Sequence, residues 1–144
     1  MGKLRDRLPA LAVGAVLLAG LGAVAWKLTS PSGAVVPVQV RVPALSPLAE
    51  AGRRAFDATC RACHGANGAG SDKGPPLVHD IYNPGHHADA AFARAVRQGV
   101  PQHHWSFGNM PPQPKVTDEE LTAIVRYVRE LQAANGIRYR RHVM

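Results

Sequence analysis

Hydrophobic and polar positions change rhythm several times along the chain. From Leu8 to Trp26 an apolar run of 19 residues contains no charge. A helix over that run would be about 28 Å long at 1.5 Å per residue, close to the thickness of a bilayer core. From Thr29 to Pro47 the periodicity disappears and Pro31, Pro37, Pro43 and Pro47 punctuate the chain. An extended tether is expected there, with a possible short strand at the alternating stretch from Val36 to Val42. Leu48, Gly52, Ala55, Phe56 and Thr59 then recur at spacings of three and four and predict an amphipathic helix that ends near Cys60. Residues Gly65 to Gly85 are rich in Gly, Pro and Asn and read as loops. A short helix is predicted from Asp89 to Gln98, with Phe92 and Val96 on one face and Gly99 at its end. After a second loop, Val100 to Val116, Thr117 and Glu120 form a capping signature. They open a final helix whose apolar stripe is Leu121, Ile124, Val125, Val128 and Leu131.

These elements predict an all-α domain over residues 48–136, preceded by a membrane segment (1–28) and a Pro-rich tether (29–47) and followed by a basic tail (137–144). Three helices separated by loops this long leave too little apolar side chain to close a core. Something else is expected to fill the middle.

Charge refines the picture. The chain carries a formal net charge of +7, but between Leu48 and Gly136 nine Lys and Arg face nine Asp and Glu. The excess lies at the ends, in Lys3, Arg5, Arg7, Lys27, Arg41, Arg138, Arg140 and Arg141. A neutral body argues against nucleic acid as partner, which requires clustered basic residues on a folded face. Basic residues ahead of the apolar run place the N-terminus in the cytoplasm and the domain on the far side of the membrane. A retained anchor is preferred to a cleaved signal peptide. Ala23 to Ala25 offers a small-x-small cleavage site, but the run is longer than a signal core, and Trp26 with Lys27 makes an interfacial anchor. Either way the domain is expected outside the cytoplasm, for an anchored chain on the periplasmic face of a bacterial inner membrane.

The only two cysteines, Cys60 and Cys63, stand in the pentapeptide Cys60-Arg61-Ala62-Cys63-His64. A disulfide across so short a loop would constrain the unfolded chain little. Zinc wants further ligands, and a thioredoxin-type pair wants a β-α-β setting that this pattern lacks. The spacing C-x-x-C-H is the attachment signal for one covalent c-type haem: two thiols a helical turn apart meet its two vinyl groups, and His64 supplies an axial ligand to the iron.

Residues 48–136 resemble the class I cytochromes c. Gly52 and Phe56 match the family's small-x-x-x-aromatic element in the first helix, Tyr127 matches the aromatic of the last helix, and Gly74-Pro75-Pro76-Leu77 matches its G-P-x-L loop. The resemblance implies a helical domain around one haem c, with the carbonyl of Pro75 accepting a hydrogen bond from His64. It also implies Met110, in Phe107-Gly108-Asn109-Met110-Pro111-Pro112, as the second axial ligand. An iron closed on both faces implies an electron-transfer protein and not an enzyme. Its partners would be a cytochrome bc complex or a dehydrogenase on one side and a terminal oxidase or photosynthetic reaction centre on the other. A dedicated haem subunit of an oxidoreductase would read the same way.

One departure from the family pattern is the number of histidines. His79, His86, His87, His103 and His104 all fall between His64 and Met110. Three readings stand open: loop residues with structural hydrogen bonds, a haem-edge surface beside Trp105, or a second metal site for copper or zinc. In that third reading adjacent histidines point apart, so that each pair gives one ligand. A histidine in place of Met110 would lower the haem potential. Asp118, Glu119 and Glu120 are expected to favour the positive end of the last helix.

Overall fold

The computed structural model describes residues 8–29 and 37–141. Contacts divide the chain into an N-terminal unit, residues 1–33, and a second unit, residues 34–144. In the first, helix α1 spans Leu8–Thr29, and its side chains are described from Val13 to Trp26, mostly exposed. Among the described residues no helix is long and apolar enough to cross a membrane. The expected anchor thus has no support from the structure and rests on the sequence. Lys3, Arg5, Arg7 and residues 30–36 lie outside the described residues.

The second unit is built on one crossing of two helices, α2 (Pro47–Thr59) and the final helix, here α5 (Asp118–Ala134). Ser46 caps α2 by accepting from the Ala49 N–H, and Pro47 opens it, where a missing N–H costs nothing. Thr117 and Glu120 close a full capping box at the start of α5. The two apolar stripes meet so closely that a Cβ on Gly52 would lie 1.9 Å from the Ala123 carbonyl oxygen. Only glycine permits that approach. One turn on, Phe56 packs edge-on against Tyr127 with ring centroids 5.5 Å apart. Both are fully buried, with Leu131 and Val128 beside them. The expected α2 face shifts by one position: Leu48 is 47% exposed and Ala49 is buried, because Ala49, Gly52 and Phe56 lie on the side turned to α5.

Between these helices come α3 (Arg61–His64), single 3-10 turns at Ala66–Gly68 and Asp80–Tyr82, and α4 (Asp89–Gln98), which ends at Gly99 with φ 75°. Apart from one bridge between Val100 and Met110, no β pairing occurs among the described residues. The rest is loop, as the Gly and Pro content predicts.

Both expected tails begin on the domain. Val38 and Val40 turn toward the core, and the Val38 N–H donates to the Ala69 carbonyl at 2.8 Å. Arg41 exchanges backbone hydrogen bonds with the Asn135 side chain. At the other end Ile137 is buried, Arg140 N–H donates to Asn83 Oδ1 at 3.3 Å, and its guanidinium pairs with Asp80. The alternation from Val36 to Val42 therefore marks, over its described residues, an extended segment lying on the core. Residues 142–144 lie outside the described residues.

Candidate functional site

Loops 65–88 and 99–117 leave a cleft between themselves, α3 and α4. Its volume is about 380 Å³, and Phe56, Cys60, His64, Leu77, Phe92, Val96, Trp105, Met110 and Ile124 are among its walls. Its surface is mostly apolar, and no carboxylate contributes to it. A second, more open hollow lies at Pro84, Asp89, Arg129 and Ile137, away from both cysteines.

The pentapeptide 60–64 forms its own helical turn. Cys60 N–H closes α2 on the Phe56 carbonyl, Cys60 C=O accepts from Cys63 and His64, and Gly65 (φ 72°) ends the turn. Both cysteines are free thiols, one half-buried and one exposed. Burial, with a smaller contribution from Cys63, pushes the Cys60 thiol up to about 11. Redox-active pairs need a lowered thiol pKa, and Cys60 is shifted the other way.

His64 is placed by the loop that follows. Its Nδ1 lies 2.9 Å from the Pro75 carbonyl oxygen and donates to it in the neutral tautomer. Burial lowers the His64 pKa, only partly offset by the Pro75 bond, and keeps the ring neutral. Nε2 is then left with its lone pair. Pro75 is held in turn: Gly70 N–H reaches the His64 carbonyl at 2.7 Å, Ser71 Oγ the Cys63 carbonyl at 2.6 Å, and Leu77 N–H the Gly68 carbonyl at 2.8 Å. A Cβ on Gly74 would stand 2.9 Å from the Cys63 carbonyl oxygen, so this loop lies flat against the motif. Met110 is brought to the same cleft by its two-way backbone pairing with Val100, at 3.0 and 2.9 Å.

The residues present fit a c-type haem. Thiol, neutral imidazole and thioether all border one apolar cleft. The indole Nε1 of Trp105 is buried there without an acceptor in hydrogen-bond geometry. Tyr82 lies near enough for that N–H to counteract the upward push of burial on its phenol, though not in bonding geometry. Such a donor suits an anionic edge group of the cofactor.

Two side chains with no obvious signal in the sequence hold the far wall. Arg129 is mostly buried and donates to the carbonyls of Tyr82 (2.8 Å) and His87 (2.5 Å), to Asp89 (2.8 Å) and to Gln132 (2.6 Å), with its guanidinium 4.8 Å from the Phe92 ring centroid. Gln132, 1% exposed, donates to the carbonyls of Leu77 and Tyr82. A glutamine beside the apolar stripe was the only hint of that role. The phenol of Tyr127 adds a tie to Asn67 at 2.9 Å.

The loop histidines do not behave as the sequence predicts. His86 and His87 do not point apart: their rings are 4.5 Å apart, and both lie close to His104, at 5.2 and 5.3 Å between centroids. The turn at Asn83 curls them together, since the His86 and His87 N–H groups both donate to the Asn83 carbonyl. His79 stands aside, edge-on to Trp105 at 5.1 Å.

Residues 49–132 match the family model described as cytochrome c. No curated protein and no solved structure matches the chain.

Proposed function

The chain belongs to the cytochrome c family and carries a covalently bound c-type haem, and from that premise we propose that it is a membrane-tethered single-electron carrier whose iron is held between His64 and Met110. The observation that carries this reading is the convergence of Cys60, His64 and Met110 on one apolar cleft, with His64 Nδ1 engaged by Pro75 O at 2.9 Å.

When bound, the haem supplies a one-electron ferric/ferrous couple. Cys60 and Cys63 would anchor it through thioether bonds. The Pro75 carbonyl fixes the tautomer and orientation of the His64 ring and raises the basicity of Nε2. The Met110 sulfur offers a soft ligand that favours the ferrous state. Phe56, Leu77, Val96 and Ile124 exclude water from the cleft, and the Trp105 N–H awaits an anionic edge group. His64 and Met110 would hold the iron between them and leave small oxidants no open place on it. Transfer of electrons, and not turnover of a substrate, follows.

The uncharged run Leu8 to Trp26 and the basic residues ahead of it support, from the sequence, an anchor with the domain on the extracytoplasmic face of a bacterial inner membrane. Tethering raises the effective concentration for membrane-bound partners. Those partners would be a cytochrome bc complex or a dehydrogenase as donor and a terminal oxidase or reaction centre as acceptor. The visible spectrum tests the iron site: the ferric protein is expected to be low-spin with a weak far-red sulfur-to-iron band. Met110→Ala should remove that band and let carbon monoxide bind the reduced form; a parent protein without the band overturns Met110. Release of the protein from membranes by an alkaline wash would overturn the anchor.

A further inference from the structure

Three imidazoles gather at the mouth of the cleft, from two separate parts of the chain. His86 and His87 sit on the turn after Asn83, and His104 on loop 100–110. One ring nitrogen from each lies within 4.8 Å of the other two, and His86 Nε2 is 3.2 Å from His104 Nε2. Two nitrogens bound to one tetrahedral zinc at about 2.0–2.1 Å stand roughly 3.3 Å apart. The observed pair already has that spacing, and the third nitrogen, within 4.8 Å of both, needs to close by no more than about 1.5 Å.

The tautomer of His87 suits a metal as well, and the His86–His104 contact holds between its two Nε2 atoms one proton that an incoming ion would displace. His87 Nδ1 lies 2.8 Å from the Ile81 carbonyl oxygen. Donation there leaves Nε2 with its lone pair, the arrangement in which histidine ligands are oriented by a backbone carbonyl. The turn that carries His86 and His87 is stiff. The His86 and His87 N–H groups bond the Asn83 carbonyl, Gly85 N–H bonds Asn83 Oδ1 at 2.9 Å, and Arg129 holds the His87 carbonyl. Loop 100–110 is tied mostly to itself, through Gln102 to Asn109 and Gly108, and through the Val100–Met110 bridge. His104 is exposed, so an ion can reach it and a water can complete the coordination.

We propose that His86, His87 and His104 bind one divalent transition-metal ion of the zinc type at the cleft mouth, clipping loop 100–110 to the turn at residues 83–87. Three neutral imidazoles and a water form the donor set that zinc accepts at open sites. The site uses neither Cys60, Cys63, His64 nor Met110, so it does not depend on the assignment of His64 and Met110 to the iron.

The test is titration of the full-length haem-loaded protein with Zn2+ alone, followed by calorimetry and by metal analysis after dialysis. One ion per chain is expected. His104→Ala, on an exposed loop, should weaken binding by about 100-fold or more, since loss of a direct ligand exceeds the 10–100-fold cost of losing an outer partner. His86→Ala should do the same, with an unchanged haem spectrum showing that each variant is folded. Zinc-edge X-ray absorption should find three imidazole nitrogens, and amide exchange in residues 100–110 should slow on zinc addition. Absence of stoichiometric binding, or binding unchanged in His104→Ala, overturns the site. Loss of zinc with His103→Ala but not with His104→Ala overturns the assignment of ligands, and binding without slowed exchange overturns the clip.

Discussion

The helix crossing and the cleft wall are two ways of holding a chain together, and this protein uses them side by side. Where α2 meets α5, shape does the work: Gly52 admits the Ala123 carbonyl, and Phe56, Tyr127, Val128 and Leu131 fill the space with buried apolar groups. Loops 65–88 and 99–117 bury few apolar side chains of their own. Pro76, Val78 and Val116 are the main ones; loop 65–88 is organised by backbone carbonyls taken up by His64, Arg129 and Gln132, and loop 99–117 by the Val100–Met110 bridge and by the Val116 carbonyl taken up by Arg97. Apolar contact is tolerant and closes on itself. Carbonyl-to-side-chain bonding holds loops in place without filling the volume they enclose, and that volume is left for the cofactor.

The comparison is broken most severely at Gly52. Gly52→Val forces a branched side chain into a carbonyl 1.9 Å from its first carbon. The cost should reach at least about 3 kcal/mol, the upper end for overpacked sites. Denaturant unfolding of the haem-loaded protein measures it, and a midpoint equal to the parent's would show that the crossing is not the anchor of the fold.

Next in size is the cofactor itself. With Cys60→Ser and Cys63→Ser together, covalent haem is lost, and amides in residues 65–85 and 100–116 should exchange with local opening free energies near zero. Slower exchange should persist in α2 and α5. Uniform loss of protection in both regions would show that the helix pair has no stability of its own.

Tyr127→Phe sharpens the contrast within one residue. The ring stays against Phe56, and only the 2.9 Å bond to Asn67 is lost. About 1 kcal/mol is expected, the ordinary net worth of one hydrogen bond.

The smallest effect lies at Glu130. Burial would raise its pKa, but the Ser46 N–H, the Ser46 hydroxyl and Arg126 outweigh that and hold it below its ordinary 4.5. A depressed carboxylate contributes stability that is complete above its unfolded pKa and is lost as pH falls through the folded value. Unfolding midpoints should therefore fall below about pH 4.5 in the parent, and Glu130→Gln should be lower near neutrality with a flatter acid limb. An identical acid limb in the two proteins would mean that the tie between Ser46 and α5 is energetically silent.

Much of this architecture was legible in the chain. The α5 stripe, the Thr117 capping box, the end of α4 at Gly99 and the loop character of 65–85 follow from spacing and residue type, because helix periodicity and capping are local. The α2 face was misread by one residue, since Leu48 and Ala49 differ only in which side of the first turn meets α5. The exposed Leu48 is a surface apolar residue of the ordinary kind.

By itself, the sequence determined that the chain is helical with long loops, that Cys60, Cys63 and His64 sit within one short turn, and that Leu8 to Trp26 is an uncharged apolar run. All of these are properties of neighbours in the chain. Only the tertiary structure decided which distant groups meet: Met110 with His64 on one cleft, Arg129 with the His87 carbonyl, and His86 and His87 with His104. Local spacing says nothing of how two loops approach one another. That approach is set by carbonyls needing donors and by a helix crossing that only glycine allows.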